Sequence, residues 1–150
     1  MRTILCFLVA AFLLAPYPAQ ASDTPVASIK MARGTSTIIR DKGPLQALKG
    51  SRIFQGDILK TGSDGSMSIV FRDDTRLSLG PDSEIVVTEF LFSPAEGKLS
   101  FITKLLKGTA ACVTGIIGKL SPQSVRFETP VANIGIRGTK FAVMTENPND

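Results

Sequence analysis

The sequence predicts an all-β domain, and three observations carry that reading. Met67, Ile69 and Phe71 alternate with Ser68, Val70 and Arg72, and Leu77 and Leu79 alternate with Arg76 and Ser78, the period of half-buried strands. Turn residues recur between these short runs at about 8–12-residue spacing, as all-β sandwiches, rolls and barrels require. The alternation then returns late in the chain at Val125–Thr129, VRFET. The architecture expected is one domain of short glycine-punctuated strands, wound as a twisted β-roll or solenoid-like stack in which each turn buries its apolar face on the next. A two-sheet β-sandwich is the alternative.

Element by element, Val26–Arg40 (VASIKMARGTSTIIR) reads as two strands around Arg33-Gly34. Asp41-Lys42-Gly43-Pro44 is a turn, because glycine supplies positive φ and proline removes a ladder donor. Gly56-Asp57 and Gly62-Ser63-Asp64-Gly65 separate the next apolar pieces, Asp73-Asp74 turns the Met67–Phe71 strand, and Gly80-Pro81-Asp82 turns the one after it. Ile85 and Val87 begin a strand that continues to Phe92. KLSFITKLLKG, residues 98–108, fits either a strand or one to two turns of amphipathic helix. Lys107-Gly108-Thr109 favours a strand followed by a turn, and Ala110–Val113 can pair in the sheet. Gly115, Gly118 and Pro122 mark 114–124 as a long loop. Pro130 must sit at an edge or a strand start.

The 150-residue chain divides into a signal peptide at 1–21, a lead-in at 22–28, a β domain at 29–145 and a tail at 146–150. Arg2 is the positive n-region, ILCFLVAAFLLA is a 12-residue apolar core, and Ala19-Gln20-Ala21 is a small-x-small cleavage site. The core is too short for a span, which needs about 20 apolar residues. Export to the periplasm or the extracellular space is therefore expected, with no transmembrane span after cleavage.

Composition narrows the chemistry. With zero histidines there is no Ser-His-Asp triad, no Cys-His pair and no histidine metal site. No nucleophile elbow, phosphate loop or CxxC is present either, so no enzyme, cofactor or metal is expected. Asp73, Asp74, Asp82 and Glu84 could in principle meet a calcium ion, but turn formation accounts for them and they lack calcium-loop spacing. Cys112, the single cysteine outside the leader, reads as a small buried hydrophobe. Nucleic acid is not an expected partner: the one tyrosine, Tyr17, lies in the leader and offers no stacking platform.

Two glycine-punctuated blocks give the chain a family likeness. The first holds Gly56-Asp57-Ile58-Leu59-Lys60-Thr61-Gly62, then a strand, the Asp73-Asp74-Thr75 turn and Pro81-Asp82-Ser83. The second is FETPVANIGIRGTKFAV, Phe127–Val143. Together they resemble a FecR-type domain in its stand-alone exported form, without the anti-sigma region. The family's Asp-Gly-Thr turn is Asp73-Asp74-Thr75 here, an acidic residue standing in the glycine place. The resemblance implies an envelope setting and an interaction or sensory/regulatory role; a carrier of a small ligand such as a carbohydrate is the alternative.

Candidate interaction or structural residues follow. Gly135 and Gly138 let the backbone bend or approach a neighbour around Arg137, and Ile136 is expected in the core. Arg137 is expected to crosslink loops through Asp57 or Glu128, with an anion or partner contact as the functional alternative. Residues 97–127 contain no acid but five cations, among them Lys104 and Lys107. Such a segment suits an anionic envelope polymer or an envelope protein, and a solvated lysine face over core residues is the plainer alternative. An exposed strand edge after Val143 would offer a place for another chain to add a strand.

Overall fold

The computed structural model describes residues 24–41 and 43–146; the signal peptide, Lys42 and most of the tail lie outside the described residues. The chain is all-β, a curled sheet of twelve strands among the described residues. In chain order these are β1 (Ala27–Arg33), β2 (Ser36–Arg40), β3 (Gly43–Gln46), β4 (Arg52–Ile53), β5 (Ile58–Thr61), β6 (Ser66–Phe71), β7 (Arg76–Leu79), β8 (Glu84–Ser93), β9 (Lys98–Val113), β10 (Val125–Glu128), β11 (Asn133–Gly135) and β12 (Lys140–Thr145). A short helix, α1 (Ile116–Leu120), precedes β10. The first strand begins at Ala27, with Val26 already buried, so ordered structure starts inside the segment read as lead-in.

β9 is the spine. Its first half, up to Lys107, lies between antiparallel β8 and parallel β10; its second half, from Gly108, lies between β7 and β12. The two halves face inward in opposite phase. Phe101, Thr103 and Leu105 are buried before Gly108, and Ala110 and Cys112 after it. That one-residue slip is a β-bulge, matched by the register shift opposite Glu84 and Ile85. β8 slips in the same way near Thr88, burying Ile85 and Val87 before it and Phe90 after.

The bend at Gly108 belongs to a row of four adjoining corners at which the chain passes from one layer of the roll to the other. The others are Gly34-Thr35 after β1, Gly62–Gly65 after β5 and Gly80–Ser83 after β7. Each is hydrogen-bonded to the next. The Gly62 amide donates to the Thr35 carbonyl (2.9 Å), and the Thr35 amide to Asp64 Oδ1 (3.1 Å). Asp82 donates to the Gly62 carbonyl (3.0 Å). Thr61 Oγ1 donates to the Gly80 carbonyl (2.7 Å) and accepts from the Ser83 amide (3.0 Å). The Thr109 amide donates to Ser83 Oγ (2.9 Å), and the Gly80 amide to the Thr109 carbonyl (3.0 Å). Thr61 and Ser83 are buried, so these bonds satisfy polar groups that have left water.

Between the layers the core is aromatic. Phe71 of β6 packs edge-on against Phe101 of β9 (centroids 4.8 Å) and stacks on Phe90 of β8 (5.5 Å). Phe127 and Phe141, 4.8 Å apart, extend the row into β10 and β12. Phe71, Phe101 and Phe127 are almost wholly buried.

Two expectations needed correction. Residues 98–113 are one long strand, and 114–124 is not a plain loop: α1 and a 3-10 turn at Pro122–Ser124 occupy it. The reason is topological. β10 runs parallel to β9, and a parallel return needs a crossover, which helices commonly supply.

Gly108 sits at φ 87°, and a Cβ there would collide with Ser83. Gly108→Ala is therefore expected to cost at least ~2 kcal/mol, from positive-φ strain and overpacking. Gly135 has an ordinary φ and open space around it, so Gly135→Ala should stay within about 0.5 kcal/mol. Urea unfolding followed by far-ultraviolet circular dichroism compares the two; equal midpoints would contradict the corner assignment.

Candidate functional site

The second glycine-punctuated block is tied to Thr114, and the residues that follow it, Gly115–Ile117, are anchored on the Asp73–Thr75 turn. Asp74, in the family's glycine place, takes a left-handed φ of 65°, which acidic turn residues tolerate. Asp73 is fully buried; its Oδ2 accepts from Thr75 Oγ1 (2.7 Å) and its Oδ1 from the Thr75 amide (3.1 Å). The same turn receives the start of α1. Ile116 donates to the Asp73 carbonyl (2.7 Å), Ile117 to Asp73 Oδ2 (3.3 Å) and Gly115 to Thr75 Oγ1 (2.9 Å). Gly115 is a close approach: any Cβ would strike the Asp73 and Thr75 backbone.

Thr114, next in line, reaches the far loop. Its amide donates to the Thr139 carbonyl (2.9 Å) and its hydroxyl to the Gly138 carbonyl (3.3 Å). Thr129 closes the β10–β11 hairpin, its hydroxyl accepting from the Ala132 amide (3.0 Å). Ile136 is buried, as the sequence indicates, while Gly138 holds a φ of 135°. The loop between β11 and β12 is thus fixed at Ile136 and at the Gly138 and Thr139 carbonyls, and Arg137 projects from it into solvent.

The expected Arg137–Asp57 crosslink is not formed. Asp57 is buried and belongs to Arg40: Arg40 Nε donates to Oδ1 (2.7 Å) and Nη2 to Oδ2 (2.6 Å). Arg40 also donates to the Arg52 carbonyl (3.0 Å), and its guanidinium lies 4.4 Å from the Phe54 ring centroid. The Phe54 amide completes the carboxylate (2.9 Å). These bonds hold the Arg40 guanidinium above its ordinary pKa. The reason is sheet order. β2 and β5 are neighbours with Ile39 opposite Ile58, which sets Arg40 beside Asp57. Glu128 makes no ion pair with Arg137 among the described residues.

Nor are Lys104 and Lys107 gathered with Arg137. Both are half-buried in the first half of β9, Lys107 opposite Glu84 and Lys104 in register with Glu128 of β10. The acid-free run instead sends two other cations, Lys119 and Arg126, to Arg137. The three line an open cleft of about 830 Å³ beside α1, over Val125 and Ile136. A smaller cleft of about 400 Å³ runs between β11 and β12, lined by Ile134, Phe141 and Met144 among others. The calcium candidates are dispersed: Asp73 is buried, Asp74 and Asp82 are exposed at separate turns, and Glu84 lies 3.6 Å from Lys60.

Cys112 is buried in β9, and that burial, with Asp73 adding, pushes its thiol from 9.0 up to about 12. The neutral thiol is the favoured form inside. Its contribution to stability is complete below pH 9 and is lost as pH rises toward 12. In a Cys6→Ser chain, Ellman's reagent at pH 8 should react at least ~100-fold more slowly with folded than with urea-unfolded protein. Comparable rates would place the thiol at the surface.

No curated protein and no solved structure matches the chain. The family described as FecR protein matches residues 57–149, over half of the sequence, taking in the first glycine-punctuated block from Asp57 and the whole of the second. Two of the four corners, Gly62–Gly65 and Gly80–Ser83, and the Asp73–Thr75 turn come from the first block, and the chain belongs to the FecR protein family, a membership that suggests a regulatory or sensory, envelope-related module.

Proposed function

We propose that the protein is an exported, non-enzymatic interaction or sensory module of the cell envelope, and that it receives an extended segment of an envelope protein on the open edge of β12. The observation that supports this reading is the pairing of β12. Among the described residues it pairs with β9 alone, and its other edge carries no strand. β11 is likewise paired on one side only, with β10. The smaller cleft separates these two edges, and Met144 stands 74% exposed beside it.

An unpaired edge presents backbone donors and acceptors that an extended peptide satisfies by adding a strand, while alternate side chains fill the adjoining cleft. The anchoring of this segment at Thr114 and Ile136 would hold that edge ready without folding on contact. Export is supported by the leader pattern of residues 1–21, and the sensory role by the family.

Photo-crosslinking in the producing cells tests the reading. With p-benzoylphenylalanine replacing Met144, a discrete covalent adduct with one envelope protein is expected, and none with the same group at Lys30, an exposed position on β1 whose strand is paired on both sides. Identical adducts at both positions, or none at Met144, would overturn docking at this edge.

A further inference from the structure

The larger cleft has a chemistry that edge docking leaves unused. Lys119 enters it from α1, Arg126 from the outer face of β10 and Arg137 from the β11–β12 loop. All three are exposed, none makes an ion pair among the described residues, and no acidic side chain lines the cleft. Glu128 shares Arg126's face of β10, yet it lies in register with Lys104 and outside the lining. Packing does not explain the arrangement, because exposed side chains bury little apolar area. Three like charges around one concavity repel one another and raise the local concentration of anions.

We propose that this cleft is a binding site for a small soluble ligand bearing two or more oxyanion groups, carboxylate or phosphate. Two guanidinium forks offer paired donors that match the oxygens of either group, and Lys119 adds a point charge. The Thr139 hydroxyl supplies a neutral polar group at the rim, and Val125 and Ile136 form an apolar floor. A volume of about 830 Å³ suits a small molecule and lies within the usual range of such sites. The two clefts share Gly135, Ile136 and Arg137, but Lys119 and Arg126 line only the larger one, and the proposal needs neither the β12 edge nor a second protein.

Titration of the full chain with tripolyphosphate and with citrate, followed through backbone amide shifts, is the test. Saturable shifts are expected at Lys119, Arg126 and Arg137 with at least one probe; tripolyphosphate alone assigns a phosphate ligand, and citrate alone a carboxylate one. An Arg126→Gln, Arg137→Gln double variant should weaken that binding by about tenfold or more. Lys30→Gln with Lys98→Gln removes equal charge elsewhere and should change it less than about twofold. All four side chains are exposed, so the melting temperature serves as the check that each variant is folded. No saturation with either probe, or equal weakening by both double variants, overturns the proposal.

Discussion

The hydrogen bonds joining Thr61, Ser83 and Thr109 are the constraint on which the rest of the structure depends. Thr61 Oγ1 is shared between the Gly80 carbonyl and the Ser83 amide, and Ser83 Oγ takes the Thr109 amide in turn. Three separate passages of chain are tied in this way at the line where the sheet folds over. The apolar faces meet only because the corners stack. The Phe71–Phe101 contact, for example, joins strands from opposite sides of the fold line. The residues of the seam must be small or hydroxylated for steric reasons. A Cβ on Gly108 would collide with Ser83, and one on Gly34 or Gly65 would meet the opposing Asp64 or Thr35 backbone.

From that seam the candidate site inherits its position. β9 leaves the corner at Gly108, runs past β7 to Val113 and delivers Thr114 to the Gly138 and Thr139 carbonyls. The Asp73–Thr75 turn, at the far end of the β6–β7 hairpin, meets the start of α1 at the same place. The β11–β12 loop is therefore held by Thr114, whose neighbours Gly115–Ile117 are anchored on the Asp73–Thr75 turn, rather than by its own arginine. Arg137 stands at the surface, and Asp57 is bound to Arg40. The Asp57 carboxylate already accepts three hydrogen bonds, two from the Arg40 guanidinium and one from the Phe54 amide.

Much of this fold was legible in the sequence, and the illegible part has physical causes. β6 and β7 keep strict alternation, and their inward residues are the ones buried. Residues 98–113 were ambiguous because a bulge at Gly108 moves the buried set from odd to even positions, a slip that periodicity counts against a single strand. The crossover through α1 could not be seen because its five residues are too few to display a helical period. Ile136 was readable from its apolar setting between glycines. The Arg40–Asp57 pair was not, since it follows from β2 and β5 being neighbours, which no local pattern encodes. The acid-free run was visible as charge, yet only the fold shows that Lys119 and Arg126 converge on Arg137 while Lys104 and Lys107 do not.

Native-state hydrogen exchange of the Gly80, Ser83 and Thr109 amides tests the central claim most directly. If the corner seam holds the two layers together, these amides exchange only through global unfolding, with the same free energy and the same denaturant dependence as the amides of Phe101 and Leu105. Exchange of the corner amides through a smaller, denaturant-independent opening while Phe101 and Leu105 stay protected would contradict it. The aromatic core would then hold the roll closed, and the corners would only follow.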